Sequence, residues 1–317
     1  MDIPAHSVVT GGAGFLGSWL CERLLDEGGT VVCVDSLVTG RHVNVAHLRS
    51  RPGFRFVDAD VCAGIPVDGP VDAVFHLASP ASPVHYQRMP LATLRAGAQG
   101  TEHALDLAAR HGARFVLASS SEVYGDPEVH PQCESYRGRV DPTGPRSMYD
   151  EAKRFAEALT VAHRTEHGTN TAIARIFNTY GPRMSSDDGR LVPTLLGQAL
   201  AGEPLTVAGD GSQTRSLCWV GDLVEGLLRL ACSDEAGPIN LGSEDERTVN
   251  EIAHLILRTT GSSSPVHRVP RPQQDPRVRR PDLTRAKTLL GWSPSTPLRV
   301  GLERTAQWFA PLSAGAS

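Results

Sequence analysis

The stretch Ser7-Val8-Val9-Thr10-Gly11-Gly12-Ala13-Gly14-Phe15-Leu16-Gly17 decides the fold. A short β-branched run meets a glycine turn, and a helical pattern over 16–27 follows at once. Gly11, Gly14 and Gly17 spell G-x-x-G-x-x-G, a variant of the dinucleotide fingerprint. Glycine is needed where the backbone turns sharply, where it touches a pyrophosphate, and where helix meets strand. The first helical residues, Phe15 and Leu16, then offer amides and the positive end of a helix dipole to phosphate. Asp35 ends the next apolar run, Val31-Val32-Cys33-Val34-Asp35. A carboxylate there can accept both ribose hydroxyls and repel a 2′-phosphate, so the expected cofactor is NAD rather than NADP. Arg41 follows closely and admits the opposite reading, as a 2′-phosphate ligand. Asp60, followed by Val61, either caps the adenine or is a solvated loop acid.

Working outward, β-branched runs at 7–10, 30–34, 54–57, 73–76, 115–118 and 171–176 alternate with helical patterns, notably at 16–27, 91–111 and 148–167. Strands apolar on both faces and separated by helices predict an α/β fold with a doubly wound parallel sheet of Rossmann type. After Asn178 the pattern changes, and glycine and proline punctuate the chain. The expected division is an NAD-binding part over 1–178 and a smaller, mainly substrate-binding part over 179–317, with the sheet rejoined within 216–245. The proline- and arginine-rich stretch 265–281 is expected to be an ordered loop.

The formal charge of −4 gives no basic field of the kind that binds nucleic acid. No run is apolar and long enough to span a membrane, and the opening residues lack the layout of a signal peptide. Six cysteines without a C-x-x-C pair point to a reducing compartment, so the expected location is the cytoplasm.

Tyr149 and Lys153 lie four residues apart at the start of a predicted helix, on one face. An ammonium beside a phenol favours the phenolate and lowers its pKa, which makes Tyr149 a candidate base for an alcohol undergoing oxidation. The hydroxyl run Ser119-Ser120-Ser121 ends an earlier strand and strengthens the pairing. His163-Arg164-Thr165-Glu166-His167 matches an H-x-x-E-H zinc pattern but has no evident third ligand, so no metal is expected. Arginines between Arg268 and Arg280 read as a diphosphate clamp or a solvated face.

Longer and rarer segments carry a resemblance. They include His76-Leu77-Ala78-Ser79-Pro80-Ala81-Ser82-Pro83, Ser121-Glu122-Val123-Tyr124-Gly125-Asp126-Pro127, Gly144-Pro145-Arg146-Ser147, Arg175 to Met184, Gly209 to Ser216, and Arg280-Pro281-Asp282. Through them the whole chain resembles the extended short-chain dehydrogenase/reductase family, and within it the UDP-glucuronate decarboxylases most. The resemblance implies a redox-neutral cycle on UDP-glucuronate: oxidation at C4, loss of the C6 carboxylate as carbon dioxide from a β-keto acid, and reduction to UDP-xylose. It implies Ser120, Ser121, Glu122, Tyr149, Lys153 and Arg215 as catalytic residues. Ser120 stands beside the C4 oxygen, Ser121 and Glu122 flank the uronate carboxylate, and Arg215 holds that carboxylate with its planar fork. Leu77 and Ala78 are implied at the cofactor. Tyr86 is implied at the sugar, and Asn178, Arg183 and Arg279 at the nucleotide or diphosphate. A homodimer through a four-helix interface built on 91–111 and 148–167 is also implied.

Sibling activities differ at one place. The 4,6-dehydratases carry Asp-Glu where this chain has Ser121-Glu122, and the 4-epimerases usually lack an acid there, so both are secondary readings. A catalytically silent nucleotide-binding scaffold is the non-enzyme alternative. Two departures from the family pattern stand out: serine for threonine at 120, and Ala96-Gly97 for Thr-Asn. Together they predict a looser wall near the sugar and some release of a UDP-4-keto-pentose.

Overall fold

Seven parallel strands form one sheet: β1 (His6–Thr10), β2 (Thr30–Asp35), β3 (Phe54–Asp58), β4 (Ala73–His76), β5 (Arg114–Ser120), β6 (Thr171–Ile176) and a last strand at Ile239–Leu241. Their spatial order is Ile239–Leu241, β6, β5, β4, β1, β2, β3. The computed structural model describes residues 3–271 and 276–314, without the side chains of 312–314. The switch of winding direction falls beside β1 and β4, where open α/β sheets place their ligands. β4 and β5 are buried along their whole length, including the polar His76, Arg114, Ser119 and Ser120 at their ends. His76 ties this region together: its ring bonds the Thr10 hydroxyl at 2.8 Å and the Thr101 hydroxyl at 3.2 Å.

The predicted helix 91–111 is three pieces rather than one. An α-helix at Pro90–Arg95 passes through a π-helical turn at Ala96–Gly100 into a second α-helix at Thr101–His111. The reason lies opposite. Gly97 presses on the helix Ser147–His167, where an added Cβ would lie 2.7 Å from Ala152 Cβ and 2.9 Å from its carbonyl oxygen. The expected loosening by Ala96-Gly97 is therefore corrected: both residues are buried, and glycine lets two backbones touch.

Beyond β6 the chain adds helices and short strand pairs. The stretch 265–281 is not simply a loop, because Val266–Val269 pairs in parallel with Leu205–Ala208; Pro272 to Asp275 of it lie outside the described residues. One apolar core runs through both halves, from Val9 and Leu20 to Leu195, Ile252 and Leu302. The helix Val220–Ala231, from the second half, packs on helix α1 (Phe15–Asp26) and on β5 and β6.

Candidate active site

A single cleft of about 1210 Å³ opens along the ends of β1, β2, β4, β5 and β6. At one end lies the glycine turn. Gly11 has φ +69°, and a Cβ there would sit 2.8 Å from the backbone nitrogen of Ala78. At Gly17 a Cβ would meet the Gly11 carbonyl oxygen and lie 2.7 Å from Gly12 Cα. Gly14 precedes α1 with no side-chain cap, which leaves the amides of the first turn to a ligand. Asp35 is buried and braces the turn, accepting the Ala13 N–H at 2.9 Å and the Leu37 N–H at 2.8 Å. Burial pushes its carboxyl up, and those two N–H bonds work against the rise. This cradle has room for a dinucleotide pyrophosphate only because side chains are missing, so the residues present fit NAD. Gly14, Phe15, Leu16, Asp60, Val61, Leu77 and Ala78 line the same cleft, as does the exposed Arg41.

Arg183 was expected at the nucleotide or diphosphate of the sugar. Its guanidinium instead pairs with Glu22 of α1, meets His47 at 3.2 Å and lies 4.9 Å over the Trp19 ring. It therefore borders the dinucleotide end, where Glu22 supplies the counter-charge that a largely buried cation needs.

Midway stands the phenol. Tyr149 is buried and stacks on Tyr86, ring centroids 5.1 Å apart. The Tyr86 hydroxyl is buried in the cleft wall with no hydrogen-bond partner. Lys153 is buried too, donates to the Ala118 carbonyl at 2.9 Å, and lies 5.8 Å from the Tyr149 ring centroid. The expected lowering of the phenol pKa by this lysine does not hold here. Burial dominates and pushes Tyr149 up to about 12, while the hydrogen-bonded Ser120 hydroxyl pulls the other way. Ser120 Oγ accepts the Glu122 N–H at 3.2 Å, which leaves its own proton for the phenol oxygen.

At the far end is a charge cluster. Arg279 clamps Glu122 with both guanidinium nitrogens, one bond at 2.8 Å, and Arg146 pairs with the same carboxylate at 2.7 Å. Burial opposes the charge of Glu122, but the two arginines outweigh it and hold the carboxyl at about 2. Arg279, expected at the nucleotide or diphosphate, lines the cleft and is held there by Glu122, since a buried carboxylate requires a paired cation. Arg146 was overlooked, because nothing in its local spacing points across 24 residues of chain to Glu122. Asp150 was overlooked as well. It is buried next to Tyr149, its Oδ1 has no hydrogen-bond partner, and burial together with Glu122 raises it to about 7. Arg215 lines the cleft and donates to the carbonyls of Thr214 at 2.7 Å and Pro276 at 3.0 Å. Ser121 and Asn178 also border it.

Tyr124 belongs to the wall: it is buried and donates to Asn240 Oδ1 at 2.7 Å. His163 has both ring nitrogens engaged, with the Thr169 hydroxyl at 2.8 Å and Asp106 at 3.4 Å.

Residues 7–242 match the NAD dependent epimerase/dehydratase family. The chain belongs to that family. NAD is accordingly its cofactor. It is 52% identical over 295 residues to UDP-glucuronic acid decarboxylase 2 of Arabidopsis thaliana, covering 93% of this chain and 66% of that one. It is 48% identical over 303 residues to UDP-glucuronic acid decarboxylase 1 of Danio rerio, covering 96% of this chain and 72% of that one. The chain thus spans about two thirds of the length of these relatives. Among solved structures of the family it is similar to UDP-glucuronic acid 4-epimerase from Bacillus cereus in complex with UDP-glucuronic acid and NAD, with a TM-score of 0.86, 26% identity, and coverage of 97% and 99%. Among the described residues no helix is long and apolar enough to cross a membrane.

Proposed function

We propose that this chain is an NAD-dependent decarboxylase that converts UDP-glucuronate to UDP-xylose. The observation that carries the reading is that Arg146, Arg279 and Arg215 border one cleft together with Glu122. Planar guanidinium donors of this kind suit a sugar bearing a carboxylate at C6. The relatives at 48–52% identity support the same substrate and outcome.

Bound at the Gly11, Gly14 and Gly17 turn, NAD would supply an acceptor for the hydride from sugar C4 and, once reduced, a donor back to that carbon. Tyr149 takes the proton of the C4 hydroxyl at its phenol oxygen and gives it back at the end. Ser120 donates to that oxygen and offsets part of the cost of burying a phenolate. Lys153 keeps a positive charge beside it. Glu122, held ionised, is unable to donate a proton and serves to orient its arginines. With the C4 carbon at the ketone level, the C6 carboxylate is a β-keto acid; its electrons pass into an enolate as carbon dioxide leaves, and the enolate takes a proton at C5 before the C4 ketone is reduced. Tyr86, with its unpartnered hydroxyl, is placed to meet the sugar.

In this reading residues 1–178 hold NAD and 179–317 hold most of the UDP-sugar, the strand Ile239–Leu241 returning to the sheet. A homodimer is part of the proposal. Leu91 (66% exposed) and Leu94 on one helix, and Phe155 (51%) and Val161 on its neighbour, leave an apolar face of the kind two copies bury. Six cysteines, none of them in a disulfide, support a reducing compartment, the cytoplasm.

The test is incubation with UDP-glucuronate and NAD, with carbon dioxide measured and the product identified by NMR. Stoichiometric carbon dioxide and UDP-xylose are expected. A UDP-galacturonate product without carbon dioxide would replace this reading by 4-epimerisation.

A further inference from the structure

Tyr149, Lys153 and Glu157 follow one another at intervals of four on the helix Ser147–His167 and share one face. Glu157 lies one turn behind Lys153, outside the cleft lining. Ser119 and Arg175, register partners on β5 and β6, both reach it. Ser119 Oγ donates to its Oε1 at 2.6 Å, Arg175 Nε to the same oxygen at 2.9 Å, and Arg175 Nη2 to Oε2 at 2.7 Å. Arg175 is fixed in turn, lying 4.9 Å over the Tyr124 ring and donating to that hydroxyl at 3.1 Å and to the Glu134 carbonyl at 3.0 Å. One carboxylate thus joins two strands to the helix that carries the reacting phenol, and it does so next door to Ser120. Lys153 meanwhile is buried, and an ammonium in so dry a place needs a counter-charge.

We propose that Glu157 is a positioning residue for the reaction centre: through Arg175 and Ser119 its carboxylate clamps the end of β5 to the helix that carries Tyr149 and, one turn from Glu157, Lys153. The inference rests on the proposed reaction only for its readout in turnover.

Around Lys153, its own helix carries Tyr149, Asp150, Glu151, Arg154 and Glu157, and the helix Pro90–Arg95 packed against it carries Arg95. β4 carries His76, which burial and the charge of Lys153 hold neutral by lowering it to about 3. β6 carries Arg175, the 3-10 turn Ser121–Tyr124 carries Glu122, already paired with two arginines, and the helix Pro83–Arg88 carries Tyr86. The helix Thr101–His111 carries Asp106, which faces His163. Among these, Glu157 is the group that favours the charged lysine; burial lowers Lys153 to about 8, and Glu157 works against that fall.

The sequence makes a direct measurement possible, because it contains only two lysines, Lys153 and Lys287. Lys287 is exposed and paired with Glu244, so it serves as an internal reference. With NAD bound and lysine labelled with carbon-13 at Cε, the Lys153 signal is titrated without any turnover. In Glu157→Gln its midpoint should fall by about one pH unit, the lower end of what a neighbouring opposite charge contributes. The basic limb of kcat/KM for UDP-glucuronate should fall with it. In Arg175→Gln the charge of Glu157 is no longer shared, and the midpoint should rise. Glu157→Asp should restore part of the native value. If Glu157→Gln does not fold, Glu157→Asp is titrated alone: its carboxylate is set back by one methylene, and its midpoint should lie below the native one. An unchanged midpoint in the folded Gln variant, or in the Asp variant that replaces it, overturns the proposal, as does displacement of Glu157→Gln and Arg175→Gln in the same direction. A chain that does not decarboxylate at all would leave this titration readable, so failure of the reaction and failure of the inference are separable.

Discussion

At the dinucleotide end of the cleft, Gly11, Gly14 and Gly17 act by lacking side chains, whereas at the sugar end Glu122, Arg146 and Arg279 act through side chains brought from three separate segments. The first arrangement is made of backbone and is closed by contacts within a few residues, such as Gly17 against the Gly11 carbonyl. The second exists only once β5, the Ser147–His167 helix and the stretch after Pro276 have packed. Backbone sites therefore tolerate no added atom, while side-chain sites tolerate no lost charge. The two kinds of site should fail differently when altered.

The largest expected effect is at the phenol between them. Tyr149→Phe removes the proton acceptor and leaves the ring stacked on Tyr86. Loss of general acid–base help lowers kcat by ~10²–10⁴-fold. The Kd values for NAD and for UDP-glucuronate, measured by calorimetry, should stay within a few-fold of native. Turnover near the native rate would move the base to another group, with Asp150 the first to examine, since it lies near neutrality.

A smaller effect is expected at the glycine turn, and it should appear in binding rather than in chemistry. In Gly17→Ala the added methyl collides with the Gly11 carbonyl and Gly12 Cα, both backbone and unable to swing away. Overpacking of this kind costs about 1–3 kcal/mol, enough to raise the NAD Kd by roughly tenfold or more. Gly197→Ala is the contrast: it sits in the helix Leu191–Ala201 with nothing within 4 Å of its added Cβ. There alanine should leave NAD binding alone and raise Tm slightly, because it favours the helix. Equal NAD affinity in the two variants would mean that the turn does not set the cofactor cradle.

The same contrast explains what could be read from the sequence. The sheet was legible because β4 and β5 are buried on both faces and carry apolar cores, at 73–75 and 115–118. A return to the sheet within 216–245 was legible too, and it falls at Ile239–Leu241. Gly11, Gly14, Gly17 and Asp35 were legible because their spacing is itself the mechanism. Arg146 and Asp150 were not, since their meaning depends on Glu122 arriving from another element. The π-helical turn at Ala96–Gly100 was also hidden. A hydrophobic pattern continues through it, and only the approach of Ala152 to Gly97 shows why the turn widens. Arg183 and Arg279 both line the cleft, but the partners that hold them there, Glu22 and Glu122, could not be supplied by local pattern.

The smallest effect concerns Ser120, and it sharpens the comparison from the side-chain end. The expected leak of a UDP-4-keto-pentose rested on two departures, serine at 120 and Ala96-Gly97. Gly97 is packed against Ala152, so that part of the wall is firm. Ser120 remains: it lacks threonine's methyl group, and its rotor is less restricted. Yet its Oγ already accepts the Glu122 N–H at 3.2 Å and bonds the Tyr149 phenol, so much of that freedom is gone. Native enzyme should therefore give mainly UDP-xylose with a minor share of ketone and an equal amount of free NADH. In Ser120→Thr the ketone share should fall by less than about tenfold, a difference under about 1.4 kcal/mol in the partition between hydride return and release. The measurement is the product ratio by NMR at limiting NAD, with NADH followed by absorbance. Identical ratios in the two proteins would show that the methyl group has no part in holding the ketone, and that the Glu122 N–H alone fixes the hydroxyl.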